Sequence, residues 1–499
     1  MALNLASILT ESAARVPGNP AIRLNDVELS YAELDDRSAR LATLLRAKGL
    51  VRGDRVGVML PNVPEFPVAY YGVLRAGGIV VPLNVLLKRR EIAFFLADSG
   101  TELLLAWREF GEEARAGAEE AGAEVIEVEP ESFAAALAEL DPTAGLADTD
   151  EQDTAVILYT SGTTGKPKGA ELTHFNLWRN SQISVETTTE AHEGDVVLGA
   201  LPLFHSFGQT VSMNGALRVG ACLTMLPRFD PGEALETIQR DRVTHFQGVP
   251  TMYGALLHHP ERERFDTSSL RSCISGGAAM PGEVLRGFEQ AFDAIVLEGY
   301  GLSETSPLAC SNHPDRERKV GSIGTPIKDV EMRVVDENDD PLPQGEVGEI
   351  VIRGHNIMKG YWQRPEATEE AMRGGWFHSG DMARVDEDGY FYIVDRKKDL
   401  IIRGGYNIYP REVEEVLYEH PKIREAAVVG IPHPEWGEEI GAAVVLGEGE
   451  ELAPADVSAY VKDRIATYKY PRVVWFVEEL PKGPTGKILK REIERPAKV

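Results

Sequence analysis

Apolar positions along this chain repeat in two alternating rhythms, one of period near 3.6 and one of short continuous runs. After Ser30, the leucines at 34, 41, 44 and 45 recur at helical spacing. Ser30 followed by Glu33 makes a capping-box pattern that starts this helix, and Leu29 with Leu34 can staple its entry. Turn residues at 49–54 break it. The run 55–60 then reads as a strand, 65–75 as a helix and 78–82 as a second buried strand. The alternation returns later: Asp230 and Pro231 open a helix to 240, 243–247 is a strand, and a helix over 283–292 precedes a strand at 294–297. Strands apolar on both faces, separated by amphipathic helices, predict parallel sheets covered by helices.

Between 327 and 352 the pattern changes to short strand-like runs, 332–335 and 349–352, divided by turn-rich stretches, which predicts a small β-rich subdomain. After a strand at 390–394 comes a run of charges, Asp395, Arg396, Lys397, Lys398 and Asp399, and then a fresh α/β pattern from 400 onward. The predicted organisation is an N-terminal domain over 1–394, a hinge at 395–398 and a lid-sized C-terminal domain over 399–499. No internal repeat is visible.

Composition narrows the function classes. The 499 residues suffice for roughly two to four domains. Lys plus Arg number 52 against 79 for Asp plus Glu, and a net charge of −27 argues against nucleic acid or an anionic membrane as partner. The three cysteines, Cys222, Cys273 and Cys310, have no metal-ligand spacing and form no disulfide framework. Residues 1–18 carry Glu11 and Arg15 and lack a basic cluster, unlike a secretory signal, so a cytoplasmic location is expected. The most apolar long window, 67–87, is interrupted by Arg75, Pro82 and Asn84, so no transmembrane segment is expected.

Four segments carry chemistry. A strand at 154–158 leads into Tyr159, Thr160, Ser161, Gly162, Thr163, Thr164, Gly165, Lys166, Pro167, Lys168 and Gly169. Its glycines let backbone N–H groups approach an anion, its hydroxyls donate, and its lysines supply charge, as a polyphosphate requires. The spacing is not that of a Walker loop. Next, Glu298, Gly299, Tyr300, Gly301, Leu302, Ser303, Glu304 and Thr305 follow the strand at 294–297, and ligands collect at strand C-termini in open α/β sheets. An aromatic ring for a base, a hydroxyl for a phosphate and a carboxylate for Mg²⁺ can meet there. Third, His378, Ser379, Gly380 and Asp381 precede Asp395 and Arg396, a carboxylate and guanidinium that could bracket ribose hydroxyls, although such residues taken alone more often form a surface ion pair. Last, the loop from Pro481 to Lys487 can present one lysine to an anionic site or end as a solvated tail. His205, among apolar neighbours, reads either as a core histidine or as a site residue. Motifs for a serine-hydrolase elbow, a zinc protease and a dinucleotide fold are absent from the sequence.

Together and in this order, Leu29-Ser30-Tyr31, the Thr160–Gly169 loop, Tyr300-Gly301-Leu302-Ser303-Glu304-Thr305, His378-Ser379-Gly380-Asp381, Asp395–Asp399 and Pro484–Lys487 resemble the adenylate-forming superfamily of acyl-CoA synthetases, firefly luciferases and peptide-synthetase adenylation domains. The resemblance spans nearly the whole chain. It implies a large N-terminal domain of two α/β layers plus a β-barrel-like part, and a small mobile C-terminal α/β lid. It implies two half-reactions: a carboxylate attacks the α-phosphate of Mg-ATP, giving acyl-adenylate and pyrophosphate, and the thiol of coenzyme A then displaces AMP. Thr160, Ser161, Gly162, Thr163, Thr164, Gly165, Lys166 and Lys168 would hold the β- and γ-phosphates. Gly277, Ala278, Glu298, Gly299, Tyr300 and Gly301 would receive adenine, and Ser303, where many relatives have Thr, the α-phosphate. Glu304 with Thr164 would bind Mg²⁺, Asp381 and Arg396 the ribose, and Lys487 would bridge the substrate carboxylate and α-phosphate. Lys398 would be the pivot, and Gly404 and Gly405 would admit the pantetheine of CoA. Phe204, His205, Val249, Met252, Gly276 and Gly277 would line the acyl channel.

Segment 204–213 has no acid for an amino group, no carrier domain is expected after 499, and the end lacks a peroxisomal Ser-Lys-Leu address. The segments look most like bacterial fatty-acid CoA ligases. An aryl-acid ligase for cinnamate, coumarate or benzoate is the alternative, ahead of a carrier-loading enzyme or an inactive sensor. Chain length, oligomeric state, including a homodimer, and peripheral membrane contact stay open.

Overall fold

The structure is a computed structural model that describes residues 2–160, 167–396, 399–403 and 406–496, with only the backbone of Arg396. The helix opened by Ser30 is Tyr31–Ala47: the Ser30 hydroxyl accepts the Glu33 amide and the Glu33 carboxylate accepts the Ser30 amide. Such caps contribute about 1 kcal/mol. Helix Glu65–Ala76 is buried along its whole length, and its sequence is accordingly apolar on most sides, with the charged Glu65 and Arg75 confined to its two ends. It stops at Gly77, whose φ of 91° suits glycine.

Two sheets share one core with these helices. In the first, strands run in the order Gly360–Tyr361, Lys168–Thr173, Thr154–Thr160, Ile79–Pro82, Arg55–Met59, Leu103–Trp107, Glu124–Val128. Its pairs from Thr154–Thr160 onward are parallel. The second, nine-stranded sheet has a parallel centre that includes Val196–Gly199, His245–Gly248, Ser272–Ser275 and Ile295–Gly301. Val56, Val80 and Val156 of the first sheet and Val197 and Leu223 of the second join Leu41, Phe66 and Leu74 in a single buried cluster. Asn62 clamps the halves together by donating to the carbonyls of Gly199 and Leu201 at 2.9 and 2.8 Å and accepting the Leu203 amide at 2.9 Å. A second cluster lies under helices Pro250–Leu257 and Gly282–Phe292, where Phe288 stacks on Phe292.

The β-rich segment is an antiparallel sheet in the order Val330–Val335, Gly348–Gly354, Phe377–Val385, Phe391–Arg396. The C-terminal part has its own sheet, in which Ile423–His433 and Gly437–Leu446 form a long hairpin, and its own core with helices Pro410–Tyr418 and Pro454–Lys462. Among the described residues no helix is long and apolar enough to cross a membrane.

Three strands run further than their apolar patterns predict, and each extension carries site residues. Ile295–Gly301 outlasts the expected 297 because its last residues pair with the antiparallel strand Leu308–Ser311, and Thr154–Thr160 outlasts 158 because it pairs along its whole length with the antiparallel strand Lys168–Thr173. Pairing is then possible without a buried apolar face. Phe391–Arg396 takes in the first two residues of the charged run: Asp395 pairs with Met382 and Arg396 with Asp381. The run therefore begins inside the sheet, and only its later residues remain for a hinge.

Candidate active site

The strand ends of the second sheet, the turn after Ile295–Gly301 and the C-terminal part enclose a cavity of about 580 Å³, lined among others by Val249, Thr251, Gly277, Tyr300, Asp381 and Lys487. Small residues create the space. A Cβ at Gly301 would stand 1.8 Å from the Pro307 carbonyl oxygen, and one at Gly276 3.0 Å from the Phe207 ring. Gly277 has φ +77°, and a Cβ there would touch Val249 at 3.4 Å.

The aromatic ring and the carboxylate predicted for adenine and ribose are joined directly: the Tyr300 hydroxyl donates to Asp381 Oδ2 at 2.7 Å. Asp381 in turn faces Arg396 across the antiparallel pair, so register alone puts the carboxylate and the arginine backbone side by side. Glu298, fully enclosed, accepts the Met280 amide at 3.2 Å, and burial pushes its carboxyl up to about 7.

Glu304 sits in a short turn, Ser303–Thr305, and is buried. Its Oε1 accepts the Tyr361 hydroxyl at 2.9 Å and the Thr160 hydroxyl at 3.4 Å. Burial raises its pKa. One carboxylate thus ties together the strand before the phosphate loop, the Tyr300 motif and strand Gly360–Tyr361. The Lys168 ammonium lies 5.2 Å over the Tyr361 ring. Thr160 and Lys168 are cross-strand partners at the facing ends of strands Thr154–Thr160 and Lys168–Thr173.

Lys487 is carried into the cavity by its glycine. The Thr251 hydroxyl donates to the Gly486 carbonyl at 2.8 Å, and a Cβ at Gly486 would press on Val249 at 3.0 Å. Burial and then the Lys487 charge lower the His205 pKa to about 4, so this histidine is neutral at pH 7. His205 Nδ1 accepts the Phe207 amide at 3.3 Å, which places the proton on Nε2 and makes that edge a donor.

Of the acyl-channel residues, Val249 and Gly277 line the cavity. Met252 belongs to the second apolar core and packs there. Ser303 lies beside Glu304 in the same turn. Ser161, Gly162, Thr163, Thr164, Gly165, Lys166, Lys398, Gly404, Gly405 and the Arg396 side chain lie outside the described residues. Two contributors were missed in the sequence. Tyr361, which orients Glu304, stands in Gly360-Tyr361-Trp362, a cue too short to read alone. Arg411 seats the C-terminal part by donating to the carbonyls of Ile393 at 2.8 Å and Gly321 at 3.2 Å, and its position only makes sense once the two parts are docked.

Comparison with known proteins places the chain in a family. The family model described as AMP-binding enzyme matches residues 9–362, and the one for the AMP-binding enzyme C-terminal domain matches 412–487. A long-chain-fatty-acid–CoA ligase of Bacillus subtilis (strain 168) is 40% identical, covering 98% of this chain and 94% of that one. A feruloyl-CoA synthase of an Amycolatopsis species is 42% identical over 98% of both. The crystal structure of ATP-bound MatB from Rhodopseudomonas palustris superposes with a TM-score of 0.92 at 36% identity, over 98% of each chain. By these matches, nearly end to end, the chain belongs to the AMP-binding enzyme family.

Proposed function

We propose that the protein is an ATP-dependent acid–thiol ligase that forms an acyl-CoA, AMP and pyrophosphate. The observation that carries this reading is the seating of Lys487 in one cavity with Tyr300, Asp381 and Gly277, next to neutral His205. A free carboxylate has no usable leaving group. Attack of its oxygen on the α-phosphorus of ATP expels pyrophosphate and leaves AMP as the leaving group; the CoA thiol then attacks the acyl carbon. The ammonium of Lys487 offsets negative charge growing between carboxylate and phosphate, where a preorganised cation is worth most. Tyr300 with Asp381 holds the nucleoside, and Ser303 donates to the α-phosphate. The loop from Thr160 to Lys168 holds the two outer phosphates.

The oxygen ligands around Glu304 suit Mg²⁺, and a buried carboxylate whose charge is disfavoured by desolvation gains most from an adjacent cation. Glu304 and Thr164 would hold the ion, which neutralises phosphate charge when bound.

The second half-reaction needs another face of the lid. Ile402, Tyr406 and Trp436 are exposed, while Lys487 lines the cavity. Rotation of the unit 399–499 about Lys398, with 1–394 as the fixed body, exchanges the two faces and brings Gly404 and Gly405 to pantetheine. The co-substrates suit a cytoplasmic site of action.

A medium- or long-chain fatty acid is the first substrate class, supported by the Bacillus relative. The feruloyl-CoA synthase, at 42% identity, favours the second, an aryl acid of the cinnamate, coumarate or benzoate kind. Incubation with Mg-ATP, CoA and octanoate, palmitate, benzoate or cinnamate should yield thioester, AMP and pyrophosphate from at least one. ADP and phosphate instead would contradict the chemistry.

A further inference from the structure

Tyr159 and Thr160 end the strand Thr154–Thr160, and as neighbours on a strand they point to opposite faces of the sheet. The Thr160 hydroxyl meets Glu304, which Tyr361 holds. On the other face the Tyr159 ring packs 4.7 Å from the Phe95 ring, and its hydroxyl donates at 2.8 Å to Oδ2 of Asp98, near the end of helix Arg89–Ser99. The second oxygen of Asp98 accepts a hydrogen bond from the Arg364 guanidinium. Burial, and next the bond to Asp98, hold the Tyr159 phenol well above its usual range, so it stays a donor near neutral pH. Tyr159 and Thr160 are thus each tied to a carboxylate, and both carboxylates are held from one short stretch, Tyr361 to Arg364.

That stretch also grips the returning strand. The Lys359 and Trp362 amides donate to the carbonyls of Glu171 and Gly169 at 2.8 and 2.7 Å. The Arg364 amide closes a turn on the Tyr361 carbonyl at 3.0 Å, and the Thr368 hydroxyl donates to the Arg364 carbonyl and accepts the Tyr361 amide, both at 2.9 Å. Gly169 faces Tyr159 across the ladder, where a Cβ would stand 3.3 Å from the Tyr159 ring and 2.6 Å from Ile157, so the missing side chain makes room for that ring. Main-chain bonds therefore fix the strand that begins at Lys168, and side-chain bonds fix the strand that ends at Thr160.

For global stability the Asp98–Arg364 pair is minor, because the Arg364 side chain is 43% exposed and ion pairs open to water add little. Its location gives it consequence. The pair joins residues 266 positions apart, and through Tyr159 it bears on the strand end that carries Thr160.

We propose that Asp98, Tyr159 and Arg364 are positioning residues for the triphosphate of ATP: they fix the end of strand Thr154–Thr160 so that the Thr160 hydroxyl and the ammonium of its cross-strand partner Lys168 stand where the two outer phosphates arrive. Donors and cations stabilise a polyphosphate best when they are already aimed, and a displacement of about 1 Å can cost about a hundredfold. The inference rests on the ligase reading. It also separates the two half-reactions, because the outer phosphates take part in the first and have left before the CoA thiol attacks.

The test uses the full chain with Tyr159→Phe, Arg364→Met and the conservative Arg364→Lys. Binding of Mg-ATP and of AMP is measured by calorimetry, and both half-reactions are followed with the best acid among octanoate, palmitate, benzoate and cinnamate. Tyr159→Phe and Arg364→Met should weaken ATP binding and raise the KM for ATP by roughly tenfold, as loss of a group that orients a ligating residue commonly does, while AMP binding and thioester formation from supplied acyl-adenylate stay within about twofold of the wild type. Arg364→Lys, which returns a positive charge to Asp98, should recover most of the loss. Half-exposed Arg364→Met keeps the test decisive should Tyr159→Phe fail to fold. ATP binding unmoved by Arg364→Met, an equal loss for ATP and AMP, or no rescue by Arg364→Lys overturns the proposal and leaves the ligase reading intact. A wild type that neither binds ATP nor releases pyrophosphate overturns both.

Discussion

Lys487 acts where charge develops, and its removal separates the two half-reactions. Lys487→Ala should lower pyrophosphate release by more than about a hundredfold, a barrier rise of roughly 3 kcal/mol, while thioester formation from supplied acyl-adenylate continues. Equal loss of both in a folded protein would remove the assigned role. His205 gives a pH signature. Its folded pKa of about 4 lies below that of an exposed imidazole, so the unfolded chain binds the extra proton as pH falls from about 6.5 toward 4. Stability due to this neutral histidine is complete above that window and drains away within it. The urea midpoint of His205→Gln should therefore gain on that of the wild type between pH 7 and pH 5; parallel curves would show that the ring is not held neutral. Tyr361→Phe should raise the Mg²⁺ concentration needed for half-maximal activity with little change in Tm, since it removes only the hydroxyl that orients Glu304. At this scale the sequence showed which residue types were present, and Tyr300, Asp381 and Lys487 do meet. Tyr361 was not legible because its partner lies 57 residues away and only a two-residue strand brings it there.

Strand ends decide whether those residues meet. Gly301 pairs with Leu308 in a close antiparallel approach that admits no side chain. Gly301→Ala should collapse adenylation and lower Tm by several degrees, whereas Gly299→Ala, whose Cβ would meet only the tip of Leu308 at 3.3 Å, should be milder. Matching losses in the two variants would mean that backbone approach at 301 is not what shapes the site. The helices and interior strands were legible from period and capping, as at Ser30 and Asp230. The extensions to Thr160, Gly301 and Arg396 were not, because residues held by antiparallel backbone pairing need no apolar face and leave no periodic trace.

We propose that the whole molecule works as a body and a lid, with Lys487 lining the cavity and Ile402 and Tyr406 exposed to solvent. Lys398→Pro, fixing φ near −65°, should keep single-turnover pyrophosphate release but lose transfer to CoA, and Lys398→Ala should be mild; full thioester synthesis by a folded Lys398→Pro protein would contradict a pivot there. The family was legible from motif order alone, whereas the docked position of the lid, set by Arg411 and Thr251, depends on contacts between segments more than 80 residues apart. The central claim is that the carboxylate oxygen bonds to the α-phosphorus and leaves with AMP. Turnover of a carboxylate labelled with ¹⁸O, followed by mass spectrometry of the products, tests it directly: one labelled oxygen should appear in AMP and none in pyrophosphate. Unlabelled AMP, or label in inorganic phosphate, would contradict the account.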